Sequence, residues 1–75
     1  ALTLASRGVE QADAYRNTAL MLTSRGGHAA CVSLLLERGA EVGQVNKDGQ
    51  TALMLASQDG HAACVSLLFE RGAEV

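Results

Sequence analysis

The chain contains two nearly identical copies of one segment, set 33 residues apart. Residues 18–42 read TALMLTSRGGHAACVSLLLERGAEV, and residues 51–75 read TALMLASQDGHAACVSLLFERGAEV. Over the 26 aligned positions that start at Asn17 and Gln50, only five pairs differ. A period of this length is typical of repeat proteins, in which each unit buries its apolar face on its neighbours. The repeat therefore predicts a stacked array, and it favours a role in building a surface over a catalytic role.

Composition and charge narrow the class of protein. A chain of 75 residues forms one small domain, and its 48% apolar content is normal for a globular fold. The net charge of −2, with both signs interspersed, offers no basic surface for nucleic acid. No apolar run approaches the roughly 20 residues that span a bilayer. There is no secretory signal pattern, so we expect an intracellular setting, the cytoplasm first and the nucleus as the alternative.

Each copy carries the residues that begin and end two helices. In the second copy Thr51 is the predicted N-cap of a first helix, and Gly60 breaks that helix. A second helix is predicted from about His61 to Arg71 and ends at Gly72. Its apolar residues share one helical face: Cys64, Val65, Leu68 and Phe69. The first copy repeats this pattern from Thr18 onward.

The stretch from Asn46 to His61 reads NKDGQTALMLASQDGH, and an apolar helix and Gly72 follow it. This order resembles the ankyrin repeat, whose pattern runs D-x-x-G-x-T-P-L-H-x-A-A-x-x-G-H, then an apolar helix, then G-A-D-V-N. The resemblance implies an all-α solenoid of stacked antiparallel helix pairs with β-turn fingers. By this alignment residues 17–49 and 50–75 are ankyrin repeats, the second without its final finger.

Residues 1–16 are expected to be a partial, irregular unit. Residues 1–8 match residues 19–26 at six of eight positions, but at an offset of 18 instead of 33. Either a second helix is missing between Gly8 and Val9, or residues 1–7 serve as a second helix followed by a shortened finger. A deletion, an engineered junction or an absent stretch of chain would each produce this break in the period.

Two departures from the family pattern affect the repeats themselves. The family's T-P-L-H is T-A-L-M in both copies, so Met21 and Met54 stand where the family has His. Met is apolar and adaptable, so we expect both side chains to pack. The glycine of the finger turn, Gly49, is replaced by Arg16 in the earlier finger, which leaves the shape of the turn over Asp13–Asn17 open.

The His-x-x-Cys pairs His28/Cys31 and His61/Cys64 raise the possibility of a zinc site. Equivalent residues in successive repeats lie about 8–10 Å apart, the spacing of packed helices. Ligands at roughly 2.0–2.3 Å from one zinc ion cannot bridge that separation. The same spacing disfavours a disulfide, whose Cα atoms lie about 4.4–6.8 Å apart. We expect no metal, a core position for each Cys, and a capping or packing role for each His at its helix junction.

Catalysis has little support in the sequence. A Cys–His nucleophile pair needs a third group to orient the base and a pocket for substrate. Neither is indicated, and both members of the pair are duplicated. We expect no enzymatic activity, no catalytic residue and no cofactor.

In ankyrin arrays the finger tips and the exposed edge of each first helix line a concave groove that binds protein partners. Carried over by position, the groove candidates are Ala14, Tyr15, Asn17, Arg25, Gly26, Lys47, Asp48, Gln50, Gln58 and Asp59. Four of the five differences between the copies fall at or beside the first helix, which fits a tuned surface and equally fits neutral drift. Tyr15 is the large aromatic of this set and the best hot-spot candidate, unless its ring packs on its own turn.

The resemblance implies a protein–protein interaction scaffold whose partner, another protein, is not readable from the sequence. One alternative is a structural or self-associating segment, because the exposed apolar ends of a short stack favour pairing with another copy. A second alternative is the regulatory ankyrin region of a larger protein whose activity lies elsewhere. Nucleic-acid binding and membrane insertion are not expected.

Overall fold

In the computed structural model, which describes residues 12–73, the chain forms two stacked helical hairpins. The helices are α1 (Ala19–Gly26), α2 (Ala29–Glu37), α3 (Ala52–Gln58) and α4 (Ala62–Glu70). Within each hairpin the first helix packs on the second, and between hairpins α1 packs on α3 while α2 packs on α4. The predicted all-α solenoid of stacked helix pairs is confirmed.

The first helix of each pair begins at the predicted threonine. The Thr18 hydroxyl accepts a hydrogen bond from the Met21 amide at 3.3 Å, and Thr51 accepts one from Met54 at 3.2 Å. Each bond satisfies an amide that would otherwise lack a partner in the first turn, which stabilises a helix by about 1 kcal/mol. α1 ends at Gly27, which has a φ of 77° and is therefore left-handed.

The second helix of each pair begins after a histidine that does not cap it. Neither His28 nor His61 makes a side-chain hydrogen bond to its own helix, so the capping role considered for them is wrong. Nε2 of His61 lies 2.9 Å from the carbonyl oxygen of Arg25, in the preceding hairpin. The predicted glycines Gly39 and Gly72 follow the second helices in the left-handed conformation.

The core lies between the two hairpins. Its apolar residues are Leu20, Met21, Val32 and Leu36 from the first hairpin, and Ala52, Leu53, Leu55, Ala56, Cys64 and Leu68 from the second. Fully burying one of the larger side chains contributes about 1.5–3 kcal/mol. Both hairpins contribute buried residues to this one core, so each hairpin stabilises the other.

Identical residues of the two repeats differ in burial, which corrects two expectations. Met21 is 1% exposed and packs in the core, but Met54 is 50% exposed. Cys64 is buried, but Cys31 is exposed. In the described part of the chain no helix pair follows α3 and α4 or precedes α1 and α2. Met54 and Cys31 lie on these uncovered sides and therefore do not reach the core.

Candidate functional site: the fingers and the groove

The first finger, defined here as residues 13–17, is a turn closed by the side chain of its first residue. The Arg16 amide donates to the Asp13 carbonyl oxygen at 2.9 Å, and the Asp13 amide donates to the Asn17 carbonyl oxygen at 3.1 Å. Oδ1 of Asp13 accepts from the Tyr15 and Asn17 amides, both at 2.9 Å. An Asp or Asn side chain that bonds the following backbone in this way fixes the shape of the turn.

The second finger, residues 46–50, has the same hydrogen-bond pattern. The Gly49 amide donates to the Asn46 carbonyl oxygen at 3.0 Å, and the Asn46 amide donates to the Gln50 carbonyl oxygen at 3.1 Å. Oδ1 of Asn46 accepts from the Asp48 and Gln50 amides at 2.9 and 3.0 Å. Asn46 therefore does in the second finger what Asp13 does in the first.

Arg16 takes the conformation of the glycine that it replaces. Its φ is 65°, beside 74° for Gly49, and it has a positive φ although it is not a glycine. The question left open by the sequence is answered, because the turn over residues 13–17 keeps the shape of the second finger. A residue with a Cβ in this region costs roughly 1–2 kcal/mol relative to the ordinary conformation, so the first finger is the more strained of the two.

The carboxylate of Asp13 is stabilised in its charged form. The Asn17 amide is the largest cause that lowers the pKa of Asp13, and the Tyr15 amide, the Asn17 side chain and the nearby Arg25 charge also lower it. The partial desolvation of the carboxylate acts in the opposite direction. A hydrogen bond to a carboxylate favours the ionised form, so the acceptor that shapes the first finger is charged at neutral pH.

The two fingers are joined to each other. The Lys47 amide donates to the Tyr15 carbonyl oxygen at 3.0 Å. Below the tips, the buried Asn46 amide group donates to Oδ1 of Asn17 at 2.9 Å and to Oε1 of Gln50 at 3.1 Å. Both amide hydrogens of Asn46 are thus used, one across the fingers and one within its own finger. These bonds fix the spacing and orientation of the two tips.

The ten groove candidates fall into two groups. Eight are exposed: Ala14, Tyr15, Arg25, Gly26, Lys47, Asp48, Gln58 and Asp59. Asn17 is buried and Gln50 is half-buried, and both accept hydrogen bonds from Asn46. Asn17 and Gln50 hold the fingers in place, whereas the other eight present their surfaces to solvent. Tyr15 is 68% exposed, so its ring is not packed away on its own turn.

Sequence reasoning did not include Asp13 and Asn46 among the site residues. Their positions follow from a readable signal, an Asp or Asn three residues before the finger position taken by Arg16 or Gly49. The bond from Asn46 to Asn17 has no such signal, because it joins residues 29 positions apart. Only the stacking of the hairpins brings these two side chains together.

The other chemical groups give no further site in the part of the chain that is described. Among residues 12–73 no three His, Cys, Asp or Glu side chains come together closely enough to hold a metal ion. Cys31 and Cys64 are both free thiols, and burial raises the pKa of Cys64. Over the same residues no helix has the length and apolar character to cross a membrane.

Comparison with known proteins agrees with this architecture. The family model described as ankyrin repeats (3 copies) matches residues 2–75. The crystal structure of the human ASB11 ankyrin repeat domain superimposes with a TM-score of 0.85 at 42% sequence identity, covering 96% of this chain and 34% of that one. No sequence among the curated proteins matches. Ankyrin repeats generally mediate protein–protein interactions and are typically not catalytic. The chain belongs to the ankyrin-repeat family.

Proposed function

We propose that this chain is a protein-binding scaffold that engages its partner through the groove, the surface formed by the two finger tips and the exposed edges of α1 and α3. The observation that carries the proposal is the direct bond between the fingers, from the Lys47 amide to the Tyr15 carbonyl oxygen. It sets two tips with exposed side chains side by side. A surface held in place before binding loses little conformational entropy when a partner docks.

The groove presents aromatic, positively charged and negatively charged side chains. Tyr15 supplies an exposed aromatic ring, Arg25 and Lys47 supply positive charge, and Asp48 and Asp59 supply negative charge. Tyr and Arg are, with Trp, the residue types enriched at binding hot spots, because they combine contact area with directional hydrogen bonds. We therefore propose that Tyr15 and Arg25 contribute most of the binding energy and that the flanking charges select the partner.

The test is partner capture by matched variants. Wild-type chain and the double variant Tyr15→Ala/Arg25→Ala are immobilised at micromolar concentration and exposed to cell lysate. The captured proteins are then identified by mass spectrometry. Proteins bound through the groove should lose affinity for the double variant by at least about tenfold, since each hot-spot truncation costs more than about 1 kcal/mol.

The matched control is Val45→Ala/Arg38→Ala, which removes one apolar and one arginine side chain from exposed positions outside the groove. It should capture the same proteins as the wild type, and circular dichroism should show equal helical content for all three chains. If the groove double variant captures the same proteins as the wild type with equal affinity, the groove assignment is wrong.

A further inference from the structure

Four side chains form a continuous set of hydrogen bonds from the first finger into the second, which we call the finger network and define as Asp13, Asn17, Asn46 and Gln50. Nδ2 of Asn17 donates to Oδ2 of Asp13 at 3.3 Å. Nδ2 of Asn46 donates to Oδ1 of Asn17 at 2.9 Å and to Oε1 of Gln50 at 3.1 Å. Asn17 and Asn46 are only 9% and 7% exposed, so their amide groups depend on partners within the protein.

The charge of Asp13 gives this network a direction. A carboxylate only accepts hydrogen bonds, so Asn17 presents its NH2 group to Asp13 and its oxygen to Asn46. Asn46 must then present its own NH2 group to that oxygen. A reversed amide at position 17 would place two oxygens against each other on one side and two NH2 groups on the other. Such a reversal leaves buried polar groups unpaired, which destabilises the arrangement.

The orientation of Asn46 is also held by the backbone of its own finger. Its Oδ1 accepts from the amides of Asp48 and Gln50 at 2.9 and 3.0 Å. A reversed Asn46 amide would lose both of these bonds together with the one to Asn17. Asn46 therefore connects the backbone of the second finger to the side chain of Asn17, and through it to the carboxylate of Asp13.

We propose that Asp13 is a positioning residue for partner binding, which aligns the second finger tip through Asn17 and Asn46. The proposal rests on the groove function above, because the aligned tips carry groove side chains. It also states which residue types the network accepts. One of positions 13 and 46 must be an acid and the other an amide, so that Asn17 donates on one side and accepts on the other.

An exchange of the two residues satisfies the same condition in the opposite direction. In the double variant Asp13→Asn/Asn46→Asp, the amide at position 13 would donate to the oxygen of a reversed Asn17. The NH2 group of Asn17 would then donate to the carboxylate at position 46. Rotation of the half-buried Gln50 amide would bring its own NH2 group to this carboxylate. An oxygen remains at both positions to accept from the backbone amides of each finger.

A double-mutant cycle on the 75-residue chain tests this condition. Asn46→Asp alone should lower the folding equilibrium constant by at least about tenfold, because a buried carboxylate would face the oxygen of Asn17. Asp13→Asn alone should lower it by less than about fivefold, since Asp13 is exposed. The exchanged chain should be at least about fivefold more stable than the product of the two single effects. Urea unfolding at neutral pH, followed by circular dichroism, measures all four chains.

The matched control is Gln44→Glu, which makes the same change from amide to acid at an exposed position outside the finger network. Its effect on stability should be the same with and without Asp13→Asn, to within about twofold. If the exchanged chain is no more stable than the product of the two single effects, Asn17 does not transmit the direction and the proposal is wrong. If Asn46→Asp alone does not fold, the exchanged chain decides, because it should fold and its failure to do so overturns the proposal.

Partner capture separates alignment of the tips from stability of the fold. Each variant is used under conditions in which circular dichroism shows it to be folded. Asn46→Asp should weaken the binding of proteins captured through the groove by at least about fivefold, because a tip that is no longer aligned must be ordered when a partner docks. The exchanged chain should bind them within about twofold of the wild type.

The outcomes of capture distinguish this proposal from the groove function. Folded Asn46→Asp that binds as tightly as the wild type, or an exchanged chain that binds no better than Asn46→Asp, overturns the positioning role of Asp13. If the wild type captures no protein that depends on Tyr15 and Arg25, the groove function itself is wrong. The double-mutant cycle would still decide whether the charge of Asp13 sets the direction of the finger network.

Discussion

The two repeats of this chain have almost the same sequence and different structural roles. The first repeat buries Met21, whereas the second leaves the identical Met54 half exposed. For cysteine the order is reversed, because Cys64 is buried and Cys31 is exposed. Each repeat covers one face of the other. A residue is therefore buried only if it lies on the face that the other repeat covers. In a stacked array, burial is thus a property of the contact between units as much as of the unit itself.

Thiol reactivity should give the largest difference between the repeats. Alkylation of the native chain at micromolar concentration, followed by mass spectrometry of the peptides, should modify Cys31 about a hundredfold faster than Cys64. Cys64 is buried, burial raises its pKa, and it reacts only when the hairpins separate. In denaturant the two rates should converge. Equal rates in the native chain would mean that the hairpins do not cover Cys64.

Truncation of the two equivalent methionines, Met21 and Met54, should lower the stability of the protein by different amounts. Met21→Ala should lower the free energy of unfolding by about 2–4 kcal/mol, because it leaves a cavity between the hairpins. Met54→Ala, a chemically identical change at a half-exposed position, should cost less than about 1 kcal/mol. Urea unfolding followed by circular dichroism measures both. Similar losses for the two variants would contradict the burial difference.

The contrast between repeats also marks the limit of what the sequence could predict. The threonine caps, the glycine stops and the helical pairs are local signals, and the structure confirms them at Thr18, Thr51, Gly39 and Gly72. The burial of each residue is not local, since Met21 and Met54 sit in almost the same sequence. The bond from Asn46 to Asn17 likewise depends on how the units stack. The family resemblance gave the groove candidates, and which of them contact a partner remains a prediction.

The two fingers provide a second comparison. They share one backbone shape, but the first has an arginine and the second a glycine at the position of positive φ. Arg16→Gly should raise the free energy of unfolding by about 0.5–1 kcal/mol, since glycine tolerates the positive φ but also gains freedom in the unfolded chain. The reverse exchange, Gly49→Arg, should lower it by a similar amount. Urea unfolding of the pair measures both changes. If Arg16→Gly instead lowers the free energy of unfolding, the arginine side chain stabilises the fold by more than its positive φ destabilises it.

The acid dependence of the first finger should give the smallest effect. Asp13 has a lowered pKa when folded, so its contribution is present above its ordinary pKa of 3.8 and is lost as pH falls through the lower folded value. Asp13→Asn introduces the residue that builds the second finger, and asparagine does not titrate in this range. The stability of the wild type relative to this variant should stay constant above about pH 5 and decline below it. A difference that is flat down to about pH 3 would contradict this coupling.

The contact between His61 and Gly27 affects which substitutions each of the two equivalent glycines, Gly27 and Gly60, can accept. Gly60 is required only by its backbone, because its φ of 75° is unfavourable for other residues and open space surrounds it. Gly27 is required twice, because any side chain there would also collide with the imidazole ring. Asparagine, the usual second choice for a left-handed position, fits the open space at residue 60, whereas at residue 27 it would also have to displace the His61 ring. The second hairpin thus restricts the substitutions that residue 27 of the first hairpin accepts, in addition to the restriction from its backbone.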